Sequence, residues 1–118
     1  MIENVYEYSP DDMQIVFERL QDQNVGFCLD TGHQAAFSRT PLDSWLDSLG
    51  VYLGQLHLHD NRGRVDEHMA IGQGSIDFRT FLITLKAQRP NPPLITLEPH
   101  NERDLWPSLT YLEKIWPW

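Results

Sequence analysis

The chain of 118 residues has the length of about one domain. Its 17 acidic and 9 basic residues leave a formal net charge of -8, and 41% of its residues are hydrophobic. It is too apolar for a disordered acidic tail, and its acidic balance argues against a duplex-binding protein, which presents a basic face to phosphates.

Met1-Ile2 is a short apolar run ending in the polar Glu3-Asn4. Ser9-Pro10-Asp11-Asp12 then reads as a helix start: serine caps, proline suits the first position, and acids favour the first turn. Met13, Val16, Phe17 and Leu20 follow at helical spacing, and Asn24 with Gly26 marks the stop. A second apolar run, Val25 to Leu29, ends in Asp30-Thr31-Gly32-His33, which reads as a turn. Thr40-Pro41 opens a helix with Leu42, Trp45, Leu46 and Leu49 on one face, and Gly50 stops it. The third run, Leu53 to Leu58, leads into His57-Leu58-His59-Asp60 and a polar loop from Asn61 to Ser75. Asp77 caps a helix with Phe78, Phe81, Leu82 and Leu85 inward, which Pro90, Pro92 and Pro93 break. The fourth run, Leu94 to Leu97, ends in Glu98-Pro99-His100. A last helix, roughly Asp104 to Ile115, turns Leu105, Leu109, Leu112 and Ile115 or Trp116 inward.

Strands alternating with helices predict an α/β fold with a parallel sheet. Continuous apolar runs predict strands covered on both faces. No apolar run approaches the ~18 residues of a membrane span, and Met1-Ile2-Glu3-Asn4 does not resemble a secretory signal. Cys28 alone excludes an internal disulfide framework and a four-cysteine zinc site. A reduced, cytoplasmic protein is the default expectation.

In a parallel sheet the C-terminal strand ends lie on one side, where function gathers. Here those ends and the following loop carry Glu3, Asp30, His33, His57, Asp66, His68 and Glu98. So many carboxylates in one place repel one another unless a cation intervenes. Imidazole with carboxylate suits Zn, Mn, Co or Fe better than Ca, which prefers oxygen ligands alone. Asp66-x-His68 in extended backbone places two ligands on one side. His59 and His100 read as supporting or surface groups, with Asp60 a candidate to orient His59. Arg62 and Arg64 read either as solvated loop charges or as groups that bind a substrate oxygen.

With those residues together, the sequence resembles the second half of the xylose-isomerase-like TIM barrels. That superfamily joins sugar isomerases and epimerases with abasic-site endonucleases of the endonuclease IV type. Ile2-Glu3-Asn4 resembles the end of strand five, Leu29-Asp30-Thr31-Gly32-His33 that of strand six, and His57-Leu58-His59-Asp60-Asn61 strand seven. Asp66-Glu67-His68 with Gly72-Gln73-Gly74 resembles the loop that follows, and Leu97-Glu98-Pro99 strand eight. The resemblance implies a divalent metal site of Glu3, Asp30, His57 and Glu98. In the epimerase branch it implies that Glu3 and Glu98 also transfer protons, while His33 and Arg62 or Arg64 hold the sugar-like substrate. In the endonuclease branch it implies that His33, Asp66 and His68 hold a further zinc, with two more histidines from strands two and three, which these residues do not include. The acidic balance ranks the isomerase or epimerase reading above the nuclease. A third reading is a non-catalytic module that keeps the metal ligands for binding or dimerisation.

The expected domain is one half-barrel over residues 1–118, equivalent to strands five to eight of a (β/α)8 barrel of about 250 residues. Open sheet edges and an uncovered interior predict completion by a partner: a homodimer, or a missing N-terminal half.

Overall fold

A computed structural model describes residues 1–118. Strands β1 (Ile2–Glu3), β2 (Phe27–Asp30), β3 (Leu53–Leu58) and β4 (Leu94–Leu97) form one sheet in chain order. Every neighbouring pair is parallel. The helices are α1 (Asp11–Leu20), α2 (Thr31–Phe37), α3 (Leu42–Leu49), α4 (Phe78–Gln88) and α5 (Leu105–Ile115). The fold is α/β, four parallel strands with their helices, as the alternating pattern predicts. No helix is long and apolar enough to cross a membrane.

The helices begin where short polar side chains can satisfy free backbone N–H groups. Asp77 caps α4, its carboxylate accepting from the Thr80 N–H at 3.0 Å. Asp30 does the same for α2, accepting from the His33 N–H at 2.7 Å. This corrects the turn expected at Asp30-Thr31-Gly32-His33: those residues end a strand and open a helix. A single side chain serves as both strand end and cap, and only the backbone direction after it tells helix from turn.

The core lies between the sheet and its helices. Leu29, Leu56 and Leu58 on the strands are fully buried, as are Trp45 and Leu49 of α3 and Phe78 of α4. Trp45 stacks on Phe27 with ring centroids 6.2 Å apart, and its Nε1–H donates to Ser38 Oγ at 3.0 Å. Val16, expected on the buried face of α1, is exposed.

The opposite sheet face differs from expectation. Alternation brings Cys28, Asp30, Gln55, His57 and Thr96 to the same side, and Gln55 Nε2 donates to Thr96 Oγ1 at 2.9 Å across it. On that face Cys28 and Asp30 are buried, so β2 is buried on both sides, whereas Gln55 and His57 of β3 and Thr96 of β4 are half-buried. The short strand runs look continuous because the apolar outward residues are interleaved with Cys28 and with polar groups satisfied by one another.

Leu56 sits on the central strand with no exposed surface. Leu56→Ala should therefore lower unfolding free energy by about 2–5 kcal/mol, read as a shift in the urea midpoint.

Candidate metal centre

Parallel pairing aligns the strand ends. Glu3 lies opposite Cys28, and Asp30 lies opposite His57. Glu98 follows β4 directly, and its N–H donates to the Leu58 carbonyl at 3.1 Å. The four predicted strand-end residues thus converge. His57 Nδ1 lies 3.1 Å from Glu98 Oε1, 3.4 Å from Glu3 Oε1 and 3.9 Å from Asp30 Oδ2. It is buried and makes no hydrogen bond. On the other side of the ring, the Gln55 amide lies 3.1 Å from Nε2.

His33, placed one turn into α2 by the Asp30 cap, joins this group. Its Nδ1 is 3.4 Å from Glu3 Oε1 and 3.6 Å from Asp30 Oδ2, and its Nε2 is 3.3 Å from Asp66 Oδ2. His68 Nε2 is 3.1 Å from Asp66 Oδ2. The Asp66-His68 pair meets as expected, but not through extended backbone. His68 has a φ of 50°, in the left-handed region, and its Nδ1 reaches the Glu98 carbonyl at 2.6 Å. Tertiary contacts, not strand alternation, turn it inward.

Two residues carry more than the sequence pattern suggests. Asn4 is buried and clamps the backbone of Asp30 from β1: its Nδ2 donates to the Asp30 carbonyl at 2.9 Å, and its Oδ1 accepts from the Asp30 N–H at 2.8 Å. Its own carbonyl lies 3.1 Å from His33 Nδ1. A polar residue directly after Glu3 was the only sequence signal. His59 has no exposed surface and sits between the carboxylates, with Nε2 3.0 Å from Asp30 Oδ1 and Nδ1 3.6 Å from Asp66 Oδ1.

Asp60 does not orient His59. Its carboxylate accepts from the N–H groups of Asn61, Gly72, Gly74 and Ile76, gathering the loop that follows β3. His100 is exposed and stacks on His68 at 3.8 Å between centroids. Arg62 is exposed and pairs with Glu67, and Arg64 is exposed. Neither arginine hydrogen-bonds or ion-pairs with the cluster.

The electrostatics follow from this crowding. Burial, then the charges of Glu3, Asp30 and Glu98, push the Cys28 thiol up to about 12, so it is neutral near pH 7. Burial alone would raise the Asp30 carboxyl, but the hydrogen bond and charge of His59, with help from His33, hold it below its ordinary value. Burial would likewise lower His59, and its hydrogen bond to Asp30 and the charges of Asp30, Asp66 and Glu98 raise it instead. Three carboxylates lie within 3.9 Å of His57 Nδ1, and the ligand-type atoms gather in smaller sets, Glu3 with Cys28 and His57, Glu3 with Asp30 and His33, and Asp30 with His59 and Glu98, donors of the kind that suit a divalent cation.

Residues 1–115 match the family model described as xylose isomerase-like TIM barrel, and the chain belongs to that family. Over 107 residues it is 30% identical to the uncharacterized protein MJ1311 of Methanocaldococcus jannaschii, covering 90% of this chain and 36% of that one. Two solved structures share the fold with TM-scores of 0.75 and 27% identity. The TTHB071 protein from Thermus thermophilus, soaked with ZnCl2, is matched over 97% of this chain and 43% of its own. A D-tagatose 3-epimerase-like protein is matched over 96% and 45%. The chain thus spans just over a third of the curated relative and under half of each solved structure. Four parallel strands with that coverage are half of a TIM barrel.

Gly32 makes the position of His59 testable. A Cβ at Gly32 would fall 1.9 Å from His59 Cε1, so only glycine lets the ring lie there. In an unconstrained helix, alanine is more stable than glycine by about 1 kcal/mol. Here Gly32→Ala should reverse that sign and lower the urea midpoint; a raised midpoint would show that the ring is free to move aside.

Proposed function

We propose that the chain is the metal-binding half of a metal-dependent isomerase or epimerase that acts on a sugar or sugar-like substrate. What carries this reading is the placement of two carboxylates, Glu3 and Glu98, at the outer strands, flanking Asp30 and His57 and facing the same imidazole nitrogen. The family and the D-tagatose 3-epimerase-like structural neighbour support the same chemistry.

Glu3, Asp30, His57 and Glu98 would hold the cation. His57 Nδ1, buried without a partner among three carboxylates, fits a ligand role, and the mixed nitrogen and oxygen set suits Mn, Zn, Co or Fe. When bound, a divalent ion there polarises a substrate carbonyl and acidifies the neighbouring C–H. The chain's own residues then move the proton. One of Glu3 and Glu98 removes it beside the carbonyl, and the other returns a proton to the opposite face. His33 borders this site and would contact substrate oxygens; Arg62 would have to exchange Glu67 for a substrate oxygen to do so, and Arg64 would contribute from the same loop.

On this reading the activity belongs to a closed barrel, with four more strands from a second copy of the chain or from an N-terminal half. A dimer in sedimentation at micromolar concentration supports self-closure, and a monomer overturns it. A second reading, a zinc-dependent abasic-site endonuclease, is favoured by one observation: His33, Asp66 and His68 also converge.

Chelation should abolish turnover on a panel of ketoses and inososes, and Mn, Co or Zn should restore it. Glu3→Gln and Glu98→Gln should each lower kcat by about 10²–10⁴-fold and stop deuterium uptake from D2O into substrate. Asp30→Asn should lower metal occupancy. Metal bound without turnover or exchange points to a non-catalytic module, and incision of abasic-site DNA points to the nuclease.

A further inference from the structure

We propose that Asp60 is a positioning residue for the strand-end site. Its carboxylate fills an anion-binding hole in the backbone of Gly72-Gln73-Gly74, and so fixes the loop that brings Asp66 and His68 to the strand ends. The Gly-x-Gly pattern then takes its anion from within the chain.

Asp60 has no exposed surface, and no basic side chain pairs with it. A carboxylate buried in that way is costly unless hydrogen bonds replace its water. Four backbone N–H groups do so. Oδ1 accepts from Asn61 at 2.9 Å and from Ile76 at 3.2 Å, and Oδ2 accepts from Gly72 at 3.0 Å and from Gly74 at 2.8 Å. Neighbouring N–H groups aimed at one point form a concave anion site. Glycine is what lets the backbone come so close. Gly72 has a φ of 87°, in the left-handed region, and a Cβ at Gly74 would fall 2.3 Å from Asp60 Oδ1 and 2.3 Å from the Asn61 carbonyl oxygen.

Three of the four donors lie 12, 14 and 16 residues after Asp60, so its carboxylate closes the loop at the base. Main-chain bonds add to the closure. Asp60 pairs with Met69 in both directions, at 3.0 and 2.8 Å, and the Asn61 carbonyl accepts from the Ser75 N–H at 2.8 Å. Asn61 Nδ2 donates to the Gly32 carbonyl at 2.7 Å, which ties the base to α2.

Asp66 and His68 lie between these ties. Asp66 Oδ2 is 3.3 Å from His33 Nε2, and His68, next to Met69, reaches the Glu98 carbonyl. His68 keeps a left-handed φ of 50°, a conformation that a free loop would relax. The tip, Arg62 to Val65, is exposed. The carboxylate that holds the loop thus stands on the end of β3, where the rest of the sheet fixes it. The arrangement of the loop stands without any isomerase activity; only its service to turnover rests on the function proposed above.

An aspartate that merely filled space would be replaced by asparagine, which has the same shape. Asparagine keeps one acceptor oxygen, and its amide NH2 would face two N–H donors. Limited trypsin digestion of the whole native chain reads the difference. In Asp60→Asn, cleavage after Arg62 and Arg64 should rise by at least about 10-fold, while the other Lys and Arg sites stay as slow as in the unaltered protein. An unchanged rate at Arg62 and Arg64 would overturn the proposal, and equal acceleration at every site, the sign of a general loss of stability, would overturn it too. Asp60→Ala empties the hole. Formate should refill it and slow the cleavage of that variant, where chloride at the same ionic strength does not; equal effects of the two salts would overturn the anion-binding hole. Asp60→Asn should also lower kcat, and an unaltered chain without turnover removes the proposed activity while leaving the digestion result standing. Should neither variant fold, hydrogen exchange of the unaltered protein decides. The N–H groups of Asn61, Gly72, Gly74 and Ile76 should exchange together and more slowly than those of Arg64 and Val65, and exchange as fast as at the tip would overturn the proposal.

Discussion

A carboxylate buried at the end of β2 organises this molecule. Asp30 has no exposed surface, and an ion taken fully out of water costs several kcal/mol unless it is paired and hydrogen-bonded. Its surroundings meet that requirement from every side. Asn4 holds its backbone to β1, the first turn of α2 donates to one oxygen, and His59 lies at hydrogen-bonding distance from both. The same contacts decide where other groups go. Because Asp30 caps α2, His33 follows one turn later and faces the strand ends. Because His59 must reach Asp30, Gly32 can carry no side chain.

The two faces of the sheet divide the work. One face is packed under helices by leucine and aromatic side chains, and its burial supplies the driving force for folding. The other carries Cys28, Gln55, His57 and Thr96, which satisfy one another in part and lead up to the carboxylates. The outer strands bring Glu3 and Glu98 to the ends of that polar face, so the fold concentrates negative charge where the strands stop. Part of the net charge of -8 is thus interior charge gathered at one site, and not a solvated surface.

Much of the architecture was legible because the relevant signals are local. Asp77 and Gly50 bracket helices as short-range rules require, and β3 and β4 have the bounds that their apolar runs suggest. The regular appearance of a ligand-type residue at each strand end marked Glu3, Asp30, His57 and Glu98, since parallel strands must bring their ends to one side. Less legible were the residues whose role depends on a partner distant in sequence. Asn4 acts on Asp30, Asp60 acts on the loop up to Ile76, and His68 turns inward through a left-handed backbone against Glu98. Arg62 was a candidate for the site and instead pairs with Glu67, because both lie on the exposed loop and nothing draws the guanidinium inward.

The sequence by itself determined the α/β order, the family pattern and the residue types at the strand ends, because periodicity, caps and strand direction act over a few residues. The tertiary structure alone decided that the face bearing Gln55, His57 and Thr96 is polar, and that three imidazoles each set one nitrogen against a protein acceptor and face Asp66 with the other. The reason is physical: hydrogen-bond partners 29 to 30 residues away set the orientation of each ring, and no pattern within one segment encodes which nitrogen of a histidine points where.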